Sequence, residues 1–570
     1  MLCRATHRLQ IGAKWLLNIL FTCNIFAQKK LLNPLDGKLL LSANYAELRS
    51  MHFHSGIDLK VGGVPGAKVY AVDDAYVYRL LVSPSGYGNC VYLKHPNGNV
   101  TVYGHLHKFN STLSKFIKNE QYKRKSFAID TTFTEPVFNI KAGEVIGLAG
   151  NSGTSFGAHL HFEIRDTANV PLNPIPNFYT VLDRVAPIMK SFTLFTLDDF
   201  GNAKLPRIVR DITLKNVRGR HNINGIIEVE SPVFFGIEAI DNVSETHNKL
   251  GIRKMQVTVD DILIFGFDLD YIGFDKTRYI NSLQAYDLLI NERRNVMKTY
   301  VEPGNRLNKY ENVVNNGVFE LSDSLTHKVS ITLIDDYNNK SVLNFNIKAK
   351  PKAAENITPT KNHKYVMWNF GGMYFYDESL MIVPPEAFYD NTYIEVEKKD
   401  TSINEFSSVF AVNLNSMPVH KPLSFIVKAN ITDSLLFDKV MLGGLRNNNF
   451  FAVNAQYNKG FVSAKISSSA NYFVVVDTTG PSITPKFKAG ADLRNKKSIS
   501  LTIKDNLSGI QSYSGYIDGE WALFEYDAKN HLLTYTFDSE RIQRNKKHSL
   551  TLTVSDRKNN TTTFESSFTW

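Results

Sequence analysis

The chain has 570 residues, 65 Lys+Arg against 55 Asp+Glu for a net charge of +10, and 43% hydrophobic residues. That length is too great for a single core and predicts three to five domains. The mild basic excess fits an anionic polymer surface, while no basic-aromatic module of the kind that binds nucleic acid is present.

The first 27 residues read as an export signal. Arg4, Arg8 and Lys14 precede the apolar run Trp15 to Phe21, and small Ala27 precedes Gln28. The run is too short and interrupted to span a bilayer stably, and no later stretch is long and apolar enough. Leu20-Phe21-Thr22-Cys23 resembles a lipoprotein signal only faintly. Of three cysteines, Cys3 and Cys23 leave with the signal, so the mature chain holds Cys90 alone and no internal disulfide. Cys90 sits in a strand-like run and reads as a small buried hydrophobe.

Past an apolar entry and the Asp36-Gly37 turn, residues 38 to 42 read as a strand. Glu47 and Arg49 then precede His52-Phe53-His54-Ser55-Gly56-Ile57-Asp58. On an extended chain positions 54, 56 and 58 share a face, and Gly56 leaves room between imidazole and carboxylate for an ion. Short strands follow at 68–72, 75–82, 90–94 and 100–103, separated by Asp, Pro, Ser and Gly turns, which predicts an antiparallel meander. His105 ends the last of these in Tyr103-Gly104-His105-Leu106-His107. Residues 108–137 carry a basic cluster, Gln121 to Lys125, that reads as a solvated loop face. A glycine-rich run from Gly150 to Ala158 leads into His159-Leu160-His161-Phe162-Glu163-Ile164-Arg165, a strand that presents both histidines on one face. One His and one Asp of the first motif with one His of the second make three ligands, the open arrangement of hydrolytic zinc sites.

The motifs HSGID, YGHLH and GTSFGAHLHFEIR, in that order and approximate spacing, resemble the lysostaphin-type (LytM, M23) zinc endopeptidases over roughly residues 35 to 176. The resemblance implies Zn²⁺ on His54, Asp58 and His161, with His105 and His159 beside the metal as non-ligand catalytic residues. It implies a peptide cross-link of peptidoglycan as substrate. Lacking an evident wall-binding repeat, the chain is assigned the D-Ala to diaminopimelate bond in a periplasm or cell envelope rather than a glycine bridge. The alternatives are a catalytically silent peptidase-like regulator and an adhesive cell-envelope protein.

The fold class is mainly β: an antiparallel β-sheet peptidase domain at 28–185, carrying the insertion at 108–137, followed by about three β-sandwich (Ig-like) domains. These are an Ig-like unit at 186–350, partly helical over 276–296, a β-rich unit at 351–476, and an Ig-like unit at 477–570. They offer surface for a cell-envelope protein partner. A faint repeat links two of them: Asp241-Asn242-Val243-Ser244 echoes Asp505-Asn506-Leu507-Ser508, and Asp335 to Asn339 echoes Asp556 to Asn560. Those Asp residues read as Asx-turn formers rather than as calcium ligands.

Overall fold

The computed structural model describes residues 30–179, 181–244, 247–351, 359–360, 362–399 and 406–570. The export signal expected at 1–27 lies outside the described residues. None of the described helices is long and apolar enough to cross a membrane.

Residues 41 to 172 build an eleven-stranded antiparallel sheet. Its centre is the strand Ala158–Arg165, flanked on one side by Ile57–Gly63 and on the other by Val100–Phe109. In this register His161 lies directly across from Asp58 and, on the other side, from Gly104. Residues directly opposite on neighbouring strands hold their Cβ atoms about 5 Å apart on the same face. Motifs a hundred residues apart in the chain therefore meet as cross-strand neighbours. The alternate positions Ile57, Leu59, Leu160, Phe162 and Ile164 turn the other way and are buried in the core.

The segment expected to be a solvated loop folds differently. Ser111–Arg124 is an α-helix, with the Asn110 side chain accepting from Leu113 N at 3.0 Å and Lys125 closing it in the left-handed conformation. Leu113, Ile117 and Gln121, spaced by four, form its buried face. Its charged face is not simply solvated. Lys118 pairs with Asp538 at 2.7 Å and Glu540 at 3.4 Å, Tyr122 packs edge-on against Trp521, and Arg541 lies 4.0 Å over the Tyr122 ring. The end of the chain thus folds back onto the first domain through this helix.

The core continues without a break into the second unit, where a four-stranded and a six-stranded sheet bury Phe192, Phe235, Val257, Leu333 and Phe345 between them. Its helical part is two short helices, Ile280–Leu283 and Tyr286–Glu292. A ten-stranded path from His363 to Val476 encloses a separate core, and the last residues form four- and five-stranded sheets packed on a third. The architecture is mainly β throughout, as the alternating patterns predict.

Candidate metal centre and its relatives

Three atoms converge on one point. His54 Nε2 lies 3.1 Å from Asp58 Oδ1, His161 Nδ1 lies 2.9 Å from the same oxygen, and the two ring nitrogens are 3.1 Å apart. All three side chains are buried. The remaining ring nitrogens have partners that fix the tautomers: His54 Nδ1 donates to Asn44 O at 2.8 Å and His161 Nε2 to Glu163 Oε1 at 2.8 Å. Once the proton that His161 holds in the absence of metal is displaced, two lone pairs face each other beside a carboxylate, an arrangement that a shared cation reconciles. For tetrahedral Zn²⁺ with bonds of about 2.0–2.1 Å, ligand atoms stand about 3.3 Å apart. The observed triangle is close to that size, and its two-imidazole, one-carboxylate chemistry suits zinc. The site fits the ion.

His105 and His159 border this triangle without joining it. Their rings lie 4.8 Å apart, and the His105 ring is 5.8 Å from that of His161. His105 Nδ1 donates to Ser152 O at 2.8 Å and His159 Nδ1 to Gly157 O at 2.9 Å. Each is left with its Nε2 lone pair available; that of His159 is 3.5 Å from Asp58 Oδ1. His105 holds a left-handed backbone, φ +58°, that only a small fraction of non-glycine residues adopt. A hydrogen bond from its amide to Tyr87 O at 2.8 Å pins it there. Burial, with His161 and His159 close by, pushes its pKa down to about 3, so the ring is neutral.

The outer layer is more elaborate than the motifs suggested. Glu163, fully buried, accepts from His161, from Ser55 Oγ at 2.7 Å, from Tyr87 OH at 2.5 Å and from Arg165 Nε at 2.6 Å. Burial alone would raise its pKa, but the His161 hydrogen bond and the Arg165 charge outweigh it and hold the carboxylate ionised. Burial opposes a charge on His161, yet its bonds to Asp58 and Glu163 push it up to about 9 in the absence of metal. Asp58 is likewise held well below the usual range: burial would raise its pKa, but the neighbouring His54 and the hydrogen bonds from His159, His161 and His54 outweigh it. Period two in 159-161-163-165 was the available signal for Glu163 and Arg165, since all four share one face.

Other expectations meet mixed fates. Gly56 does not make room for an ion: a Cβ there would sit 2.3 Å from Phe162 O and 2.8 Å from Glu163 Cγ, so the glycine lets the neighbouring strand approach. His52 turns away, its Nδ1 bonded to Ser50 O at 2.9 Å. Arg49 bridges Glu47 at 3.5 Å and Asp58 at 3.4 Å, tying the pair seen in the sequence to the candidate ligand carboxylate. Cys90 is buried and its thiol pKa pushed up, in keeping with a hydrophobic role.

The Peptidase family M23 model matches residues 52–122, the stretch that carries His54, Asp58 and His105. That match, with the relatives below, supports membership of peptidase family M23 for the N-terminal domain. A DD-carboxypeptidase/endopeptidase, Mpg, of Neisseria meningitidis serogroup B is 32% identical over 128 residues, 22% of this chain and 23% of that protein. An uncharacterized metalloprotease of Haemophilus influenzae is 31% identical over 122 residues, 21% of this chain and 20% of that protein. The chain therefore spans only about a quarter of the length of the curated relatives it matches. A solved zinc-containing peptidase from Vibrio cholerae is 22% identical over 27% of this chain and 41% of its own, with a TM-score of 0.20. The lysostaphin catalytic domain from Staphylococcus simulans is 22% identical over 24% of this chain and 89% of its own, with a TM-score of 0.18. Outside the M23 domain, the Zu5-like domain model matches residues 363–477, within the unit read from sequence only as β-rich.

Proposed function

We propose that the chain is an exported zinc metalloendopeptidase that hydrolyses peptide cross-links of peptidoglycan, the D-Ala to diaminopimelate bond in particular, in a periplasm or cell envelope. The observation that carries the reading is the triangle of His54 Nε2, Asp58 Oδ1 and His161 Nδ1, with the Nε2 atoms of two further histidines beside it. The activity named for the neisserial relative supports the substrate class.

His54, Asp58 and His161 would hold Zn²⁺, which would supply Lewis acidity to a water molecule and to the scissile carbonyl. The chain's own contribution is proton handling and orientation. His105 and His159, each anchored at Nδ1 by a backbone carbonyl, divide two duties: the Nε2 lone pair of one takes the proton of the attacking water and passes it to the leaving amine, and the other, when it carries a proton at Nε2, steadies the oxyanion. Glu163 and Asn44 hold the ligating imidazoles in the tautomer that aims a lone pair at the ion. The C-terminal β units leave surface for a cell-envelope protein partner.

The test is zinc content followed by digestion of cross-linked peptidoglycan. His161→Ala should lose both zinc and cleavage, and His159→Ala should keep zinc and lose most turnover. Metal binding abolished by His159→Ala and spared by His161→Ala would reverse the ligand assignment.

A further inference from the structure

Two clusters of three aspartates stand apart from the zinc centre. Asp183, Asp241 and Asp335 meet in the second unit; Asp477, Asp505 and Asp556 meet in the last. In each cluster, one oxygen from every residue lies within 4.8 Å of the others. Two oxygens bound to one Ca²⁺ at up to about 2.6 Å can stand at most about 5.2 Å apart. Both clusters fit inside that limit.

The hydrogen bonds within each cluster account for only part of its oxygens. In the second unit Asp183 accepts from Ser244 N, and Asp335 accepts from Asn339 N and Nδ2. In the last unit Asp477 accepts from Ser508 N, and Asp556 from Asn560 N and Nδ2. These are turn-forming bonds, as expected from sequence. What they leave over is the informative part. Asp241 Oδ1 is buried without any partner, and so are Asp477 Oδ1, Asp505 Oδ1 and Ser508 Oγ. Asp241 is 2% exposed and Asp477 1%. Among the described residues no Lys, Arg or His is ion-paired with any of the six carboxylates. Lys558, whose ammonium is near Asp477 and Asp556, gives it to Ala455 O at 3.0 Å. Burying carboxylate oxygens with neither a donor nor a counter-ion is expensive enough that folded proteins avoid it.

The arrangement occurs twice, at equivalent places. Asp183 is followed by Pro187 and Asp477 by Pro481, four residues on in each case. The two Asp-Asn-x-Ser turns and the two Asp-x-x-x-Asn turns supply the remaining members. Each cluster also sits at a joint. Asp336, next to Asp335, accepts from Asn44 Nδ2 at 3.2 Å and Asn173 Nδ2 at 2.6 Å, both from the M23 domain. Asn44 O is the acceptor that orients the zinc ligand His54. In the last unit, Lys439 of the Zu5-like segment donates to Lys558 O at 2.6 Å and Asn560 Oδ1 at 2.7 Å.

We propose that each cluster binds one Ca²⁺ ion, and that the two ions lock the joints between the M23 domain and the second unit and between the third and fourth units. An all-oxygen, carboxylate-rich donor set selects a hard cation over zinc or copper. The irregular placement of the donors favours calcium over magnesium, which demands a near-octahedral shell and keeps its waters.

The experiment uses the full chain with its zinc site loaded, stripped of other divalent ions and titrated with CaCl₂. Native mass spectrometry and calorimetry should count two Ca²⁺ per chain, and thermal stability should rise with Ca²⁺ concentration. Asp241→Asn and Asp477→Asn should each remove one ion, and the double variant both. The same titration with MgCl₂ should bind at least tenfold more weakly. No calcium bound at millimolar concentration, an unchanged count of two in the double variant, or magnesium binding as tight as calcium would each overturn the proposal. Should a variant fail to fold, the wild-type count and calcium-dependent stability decide alone.

Discussion

Neutralising Glu163 tests whether the proposed zinc centre is held from behind. Glu163→Gln keeps the shape and one acceptor oxygen but removes the charge that four donors share. Two consequences follow from the geometry. Arg165, 6% exposed, loses its carboxylate partner at 2.6 Å, and breaking a buried pair on one side destabilises by about 3–5 kcal/mol. His161 loses the anion that fixes its Nε2–H and raises its basicity, and outer-shell losses of this kind weaken metal affinity by about 10–100-fold. Because the amide oxygen survives, the lower end of both ranges is expected. The assay is zinc affinity by chelator competition together with denaturant unfolding of the metal-free protein. A variant that bound zinc within threefold of wild type and unfolded at the same denaturant concentration would refute the reasoning.

Further outcomes are expected. Gly56→Ala places a Cβ 2.3 Å from the Phe162 carbonyl, which as backbone cannot swing aside. The strands must part, costing about 1–3 kcal/mol and lowering hydrolysis at least tenfold, read by unfolding and by peptidoglycan digestion. Lys529 donates to the carbonyls of Asn151 and Gly153, so Lys529→Ala should accelerate amide exchange over residues 150–158 and reduce turnover without loss of zinc. For Asp538, burial raises the pKa but the hydrogen bond and charge of Lys118 lower it further, so the folded value lies below the unfolded one. Its contribution is complete above about pH 4 and drains away as pH falls through the folded value. Docking of the last unit on the helix should therefore loosen on acidification below about pH 4, seen as loss of the Tyr122–Trp521 contact by fluorescence, and Asp538→Asn should flatten that transition.

The face that carries the candidate metal ligands could be read from the sequence because strand periodicity is strict: one residue in two faces the site, and His159, His161 and the His54–Asp58 pair announce that face, while the choice of His161 over His159 rests on the family resemblance. The same rule applied two residues further would have found Glu163. The helix at 111–124 was harder to read. Its core-facing residues Leu113 and Ile117 are few, and Tyr122 is held by Trp521 and Arg541, four hundred residues away. Local pattern carries no trace of such a partner. Gly56 was read for the right face and the wrong neighbour, since only the register reveals that Phe162 O occupies the space beside it. The twin aspartate motifs were visible as a repeat, but which of their oxygens stay unsatisfied depends on the folded turns.

Lys529 reaches the loop that precedes the HxH strand from a point 376 positions further along the chain. Synthesis runs from the amino terminus, so this loop emerges long before its brace. The braced loop therefore exists only once residue 529 has been made and has folded back onto it.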